Sequence, residues 1–211
     1  MDNYINDDHR PVVAAFDFDG TITYRDSLFP FLLFAKSKFG FIRCILPCIP
    51  ALLLYVLGLA RRQGVKETIL QHFFGGTKIW DLKKLGEEYA KRKLPLLVRP
   101  EALDRIRWHQ EQRHRCVLVS ASVDVYLEPW AKMMGFDDLL CSRLQVTRSG
   151  EITGRLQGFN CRGPEKTARL DELMGPRDQY CLYAYGDSAG DHELLTYADR
   201  PYYKRMPDEA G

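Results

Sequence analysis

The sequence predicts an α/β fold, a doubly wound, mostly parallel sheet carrying an inserted all-helical cap. Three observations carry this reading. Short apolar runs at Val12–Phe16, Cys116–Val119 and Cys181–Tyr185 each end in a turn of Gly, Ser or Asp, the pattern of strands buried in a parallel sheet. Helical segments separate the later runs, as crossover connections between parallel strands require. Residues 26–113 stand between the first run and the second, which makes room for an insert. The 211 residues and 45% apolar content suit one compact unit of this kind.

Taken in order, residues 1–10 are polar and read as loose. Val12–Phe16 is a core strand, and alternation sends Asp17 and Asp19 to the same side as the chain leaves it. The cap follows over 26–113, with an apolar, basic-flanked segment at 39–62. Residues 64–95 and 100–113 read as cap and linker helices, with Pro95 and Pro100 marking the return to the core. The core is therefore expected at 11–25 and 114–205. Within it, Cys116–Val119 is a strand ending in Ser120-Ala121-Ser122, and Val123–Met134 is a helix. Leu139–Val146 and Ile152–Leu156 read as a strand pair around Ser149-Gly150. Pro164 suits the first turn of a helix opened by Gly163-Pro164-Glu165-Lys166. The last strand, Cys181–Tyr185, ends in Gly186-Asp187-Ser188-Ala189-Gly190-Asp191.

Two carboxylates held close need a reason, because each raises the cost of ionising the other. A divalent cation supplies one, and a division of labour between nucleophile and proton carrier supplies another. Singly, Ser120 reads as a helix cap, Lys166 as a solvated charge and Asp187 as a turn residue. Jointly they sit at strand ends or a helix start, where open parallel sheets form their ligand crevice.

These four segments resemble, in order and content, the four motifs of the haloacid dehalogenase superfamily of phosphotransferases, over roughly residues 12 to 205. The resemblance implies a Rossmann-like core in which Asp17 attacks phosphorus and becomes an aspartyl phosphate. Asp19 then protonates the leaving oxygen and activates water. It further implies that Ser120 binds a phosphoryl oxygen and Lys166 neutralises charge around it. Mg²⁺ is held by Asp17, the Asp19 backbone carbonyl and Asp187, with Asp191 supporting that shell. Gly20, Thr21, Asp26 and Ala121 are the expected substrate contacts. An acid at position 19 points to phosphatases rather than to the family's transport ATPases or dehalogenases.

Charge is uneven along the chain. Residues 27–66 hold Lys36, Lys38, Arg43, Arg61, Arg62 and Lys66 but no Asp or Glu, so this stretch is +6. The whole chain is +2, which leaves −4 for the rest and asks for an anionic partner. The basic residues flank an uncharged run from Cys44 to Ala60 rather than interleaving with polar ones, which argues against nucleic acid. A single membrane span would place Asp17 and Ser120 on opposite sides of the bilayer, so it is excluded if both serve one site. Two readings stay open. The run lies in or dips into a membrane interface and returns near Pro47–Pro50, with Lys36, Lys38, Arg43, Arg61 and Arg62 meeting headgroups. Alternatively it is buried cap core packed on Phe29–Phe34.

Within the superfamily the capped subgroup includes phosphoserine phosphatases and C-type phosphatidylglycerophosphate phosphatases. The chain is more similar to the latter in its Leu46–Leu59 run, Ala60-Arg61-Arg62 and Cys161–Lys166. This implies a phosphomonoesterase acting on an anionic lipid at the cytoplasmic face of a membrane, peripheral or re-entrant. The alternatives are a soluble phosphatase for a small ester such as phosphoserine, or a catalytically dead lipid-binding scaffold. Six cysteines without Cys-x-x-Cys spacing read as reduced thiols, and five histidines show no zinc-type spacing. Oligomeric state is not legible in the sequence.

Overall fold

The computed structural model describes residues 10–207, so the expectation for residues 1–9 lies outside the described residues. In chain order, β1 (Val12–Phe16) leads into α1 (Leu28–Ala35), α2 (Lys38–Ile45), α3 (Ile49–Val56), α4 (Arg62–Phe74) and α5 (Ile79–Arg92). Then come α6 (Pro100–Glu111), β2 (Arg115–Val123), α7 (Asp124–Met133), β3 (Asp138–Ser142), β4 (Leu144–Val146) and β5 (Ile152–Leu156). The chain closes with α8 (Pro164–Met174), β6 (Cys181–Gly186), α9 (His192–Tyr197) and β7 (Arg200–Tyr203).

Five parallel strands form one sheet in the order β3-β2-β1-β6-β7. β1 is central, with Ala15 opposite Val117 on one side and Ala184 on the other. Its alternate residues feed two apolar layers, Val13 and Ala15 in one, Ala14 and Phe16 in the other. Burial on both faces is why the strand is apolar throughout rather than alternating. Leu170 of α8 and Leu194 of α9 cover the first layer. Ile106 of α6 and Trp130 of α7 cover the second, which continues into the cap through Phe31, Phe74 and Tyr89. Burying a side chain such as Phe16 contributes about 2–3 kcal/mol. The chain leaves β1 for β2 on one side and reaches β6 on the other, so the carboxyl end of β1 is a topological switch point.

The cap joins the core through two crossing segments. Thr23 and Val98 form an antiparallel bridge, flanked by Tyr24 N–H to the Leu97 carbonyl (2.9 Å) and Arg99 N–H to the Ile22 carbonyl (2.9 Å). The return thus falls at residues 97–99 rather than 113. α6, expected in the cap, packs on the sheet, with Ala102 and Ile106 in its core and His109 edge-on to Phe16. The helical stretch expected over 64–95 is divided at Gly75-Gly76-Thr77 into α4 and α5. The strand pair is also redistributed. Asp138–Ser142 joins the parallel sheet beside β2, and only Leu144–Val146 pairs with Ile152–Leu156. Val117–Ser120 offers β3 an open sheet edge, which a detached hairpin would leave unpaired.

The apolar run does not reverse at Pro47–Pro50. α2, a 3₁₀ turn over Leu46–Cys48 and α3 follow one another without reversal as a single helical stretch from Lys38 to Val56, each proline falling in the first turn of the segment it opens, where no amide donor is needed. Reversal comes at Gly58, where φ is +72°. There Leu59 N–H bonds the Leu54 carbonyl (2.8 Å) and Gly58 N–H the Tyr55 carbonyl (2.9 Å), a Schellman stop. α4 then runs back along the same helix, with Phe41 against Phe73 (5.4 Å) and the Cys48 thiol near the Thr68 carbonyl. The buried-core reading fails for the outer face, since Cys48 is the only buried residue in 38–59. No disulfide forms among the six cysteines.

Candidate active site

Asp17 is the first residue past β1, and its N–H still extends the ladder to the Tyr185 carbonyl at 2.9 Å. The chain then turns through Phe18–Ile22. Gly20 permits this with φ +84°, and a Cβ there would lie 2.3 Å from Asp187 Oδ2. A side chain at 20 would therefore push apart the loops after β1 and β6.

Lys166, at the third position of α8, is 1% exposed and lies between two carboxylates. Its Nζ donates to Asp17 Oδ1 at 2.5 Å and to Asp191 Oδ1 at 2.6 Å. Desolvation works against the ammonium, but the two carboxylates outweigh it and raise its pKa. Asp191 Oδ2 holds the loop after β6, accepting from the Ser188 N–H (3.0 Å), the Ser188 hydroxyl (2.8 Å) and the Asp187 N–H (3.3 Å). Burial pushes Asp17 up to about 7, against the pull of Lys166.

The carboxylates of Asp17, Asp187 and Asp191 offer oxygens within 4.8 Å of one another. Asp187 Oδ1 is buried with no hydrogen-bond partner, and desolvation and Asp191 push its pKa up. An orphaned oxygen beside two other carboxylates fits a divalent, oxygen-seeking cation. Such an ion would hold Asp17 ionised where burial alone would not.

Asp19 points away from this cluster into a hydroxyl network. Its Oδ1 accepts the Ser27 N–H at 2.8 Å, and its Oδ2 accepts the Ser122 hydroxyl. Tyr126 donates to Ser122 at 2.9 Å and meets the Ser27 hydroxyl at 3.1 Å, while Tyr89 donates to the Ser27 carbonyl at 2.8 Å. Burial, then the Asp26 charge, push Asp19 up to about 6, with Ser122 and Ser27 opposing. Asp17 and Asp19 thus occupy different surroundings, which allows two carboxylates two different tasks. Ser120, three residues before the end of β2, accepts the Ser122 N–H at 3.0 Å and faces the cavity.

A cavity of about 550 Å³ joins these groups to the cap. Asp17, Asp19, Gly20, Asp26, Ser120, Ala121, Lys166, Asp187 and Asp191 all line it. Asp26 is exposed and takes the Phe29 N–H at 3.1 Å at the start of α1. Thr21 does not line it; it borders a second hollow of about 430 Å³ with Arg99, Lys204 and Arg205. Among the basic residues expected at headgroups, Lys38, Arg43, Arg61 and Arg62 are exposed, and Arg62 also lines the cavity. Lys36 is half-buried over the Phe74 ring at 5.8 Å.

Sequence reasoning missed Lys66. It reaches from α4 into the cavity, donates to the Ala121 carbonyl and to Asn160 Oδ1 (3.0 Å), and is pushed by burial down to about 8. No salt bridge to it forms among the described residues. Ser27, Ser122 and Asn160 were missed as well, since small polar residues near turns carry no distinguishing pattern.

A carboxylate paired to a buried lysine, a second carboxylate in a hydroxyl network and a cluster of three acidic side chains, all at a parallel sheet's switch point, fit a hydrolase of the phosphatase type. The chain belongs to the haloacid dehalogenase-like hydrolases, whose family model matches residues 14–196. Protein CicA of Caulobacter vibrioides is 36% identical over 199 residues, covering 93% of this chain and 87% of its own. A protein of Mycobacterium tuberculosis named a probable phosphatase is 28% identical, over 86% of this chain and 64% of its own. Among solved structures, a Bordetella pertussis protein of unknown function superposes with a TM-score of 0.78 at 23% identity, covering 92% and 90% of the two chains. A phosphoserine phosphatase, solved as a phospho-aspartyl intermediate analogue, superposes with a TM-score of 0.57 at 17% identity over 90% and 84%, a likeness of fold.

Proposed function

We propose that this phosphatase hydrolyses a lipid phosphomonoester, phosphatidylglycerophosphate, with Mg²⁺ and through an aspartyl phosphate on Asp17. The observation that carries the lipid reading is the wall of the cavity. Leu28, Leu32, Leu52, Val65 and Ile69 line it on the cap side, while Lys66, Arg62 and Arg162 supply cations beyond the Asp17–Lys166 pair. An apolar wall with cations at its rim suits an ester that carries both an alkyl chain and a second anionic group.

A carboxylate oxygen of Asp17 attacks phosphorus as the bond to the ester oxygen breaks, and Asp19 gives that oxygen its proton. Lys166 and the Ser120 hydroxyl hold the phosphoryl oxygens, and Lys166 orients Asp17. Asp19, now ionised, takes a proton from water as it attacks the aspartyl phosphate, which restores Asp17 and releases inorganic phosphate. Mg²⁺ bound by Asp17, Asp187 and the Asp19 carbonyl, with Asp191 behind, would offset the charge of carboxylate and phosphate.

A second reading, phosphoserine, is favoured by Asp26, whose carboxylate rims the cavity nine positions after Asp17 and suits a substrate amine. Phosphate release from phosphatidylglycerophosphate in mixed micelles, beside soluble phosphomonoesters and an Asp17→Asn control, separates them. The lipid is expected to be preferred by at least tenfold in kcat/KM, with no turnover in the control. Preference for phosphoserine would replace the lipid reading, and full activity in Asp17→Asn would remove the mechanism.

A further inference from the structure

The helix from Lys38 to Val56 has two apolar faces. The inner one, with Phe41, Cys44, Ile45 and Cys48, packs on α1 and α4. The outer one carries Phe39, Ile42, Leu46, Ile49, Leu53 and Val56, spaced 3, 4, 3, 4 and 3 residues apart, and each is at least 42% exposed. Leu57 and Leu59 extend this stripe into the Gly58 turn at 69% and 73% exposure. A row of large apolar side chains at helical spacing is far beyond the scattered exposure of an ordinary surface.

We infer that this helix is a docking face for an anionic lipid surface, lying flat in the headgroup region. Length and composition would let it cross a bilayer, at 19 residues and about 28 Å. Topology forbids crossing, because β1 before it and β2 and β6 after it pair in one sheet. Charge selects the occupant. Lys38 and Arg43 stand at one end of the stripe and Arg61 and Arg62 at the other, with no acidic side chain anywhere from 27 to 66. A second copy docked two-fold on this face would bring each cationic end against the other with no carboxylate between them, which opposes self-association. Anionic headgroups around an apolar insertion answer both features.

The inference deepens the lipid-substrate reading and rests on it for its purpose. Leu52 and Tyr55 of the same helix line the cavity that holds Asp17, so a docked helix sets that cavity beside the lipid. Co-sedimentation of the full chain with phosphatidylglycerol–phosphatidylcholine vesicles, beside pure phosphatidylcholine vesicles, tests it. Wild type is expected to bind the anionic vesicles at least tenfold more strongly. Leu46→Glu/Leu53→Glu should lose more than tenfold of that binding, and Lys38→Gln/Arg43→Gln on the order of 20-fold, since each surface cation contributes about a fivefold factor. Hydrolysis of p-nitrophenyl phosphate should stay unchanged in both variants, which shows that they fold. Undiminished binding in either variant, or equal binding to neutral vesicles, would overturn the inference. So would a wild-type dimer that Leu46→Glu/Leu53→Glu splits in light scattering. Anionic-vesicle binding without turnover of the lipid phosphate would uphold docking and remove the substrate reading instead.

Discussion

The distinction between Asp17 and Asp19 is set by their neighbours. Asp19 sits in a hydroxyl network, and burial and the nearby Asp26 charge push it up to about 6. In the proposed mechanism, proton donation to the leaving oxygen needs the protonated form, so activity limited by this step should fall as pH rises through that pKa. Ser122→Ala removes a bond that favours the carboxylate, and the alkaline limb of kcat against pH should move upward. Asp26→Asn removes a repelling charge, and the limb should move downward. A pH series on both variants reads the two shifts, and movement in the same direction would contradict the assignment. Lys66 makes a different prediction. Its pKa is lowered to about 8 by burial, so its charged form costs stability fully below about 8, and the cost fades as pH rises toward 10.5. Lys66→Met should therefore stabilise the fold at pH 7 by on the order of 1–2 kcal/mol, with less gain at pH 10. It should also weaken an anionic substrate, which pairs a denaturation curve with a rise in KM. At this scale Asp17, Asp19, Lys166, Asp187 and Asp191 were legible because each stands at a strand end or a helix start, and Ser120 because it follows the apolar run of β2, though the strand itself continues to Val123. Lys66 was not, because a lysine inside a helix is indistinguishable in sequence from a solvated one.

Elements were legible where burial alone decides them. β1, β2 and β6 announce themselves as apolar runs ending in turns, and α7 and α8 by their position after them. β3 was misassigned, because Leu139–Val146 is continuous in sequence and only the open edge of β2 divides it. α6 was given to the cap because a boundary between two helical stretches has no pattern of its own, whereas packing on Phe16 is a tertiary fact. The helix from Lys38 to Val56 was read through its prolines, which count as breaks in a helix interior but not in a first turn. Its true stop is Gly58. Gly58→Ala forces an L side chain into φ +72° and should cost about 1 kcal/mol, read as a lower denaturation midpoint with an unchanged m-value. No loss would mean that the Schellman turn is not what ends this helix.

Across the whole molecule, charge is sorted by position. Residues 27–66 of the cap carry cations and no acid, while the core gathers three carboxylates at one end of its sheet. Filling that acidic cluster should stabilise the fold by mass action, since an unfolded chain has no such cradle. Thermal melts are expected to rise with added Mg²⁺ and to fall with a chelator. In Asp187→Asn the rise should be lost or much reduced, and an undiminished rise would place the ion elsewhere. The sorting was visible in the sequence as a count, but which way the cations face was not.

The two segments joining cap and core run side by side at Thr23 and Val98, with a backbone hydrogen bond on either side, and Arg99 reaches from this crossing to the Gly20 and Thr23 carbonyls at 3.1 and 3.2 Å. Beyond this crossing the cap is held by packing, since one buried apolar layer runs from Phe16 and Trp130 of the core to Phe31, Phe74 and Tyr89 of the cap. Arg99 ties the crossing to the turn that carries Asp19, so a load borne by the cap reaches the site through a side chain as well as through the backbone.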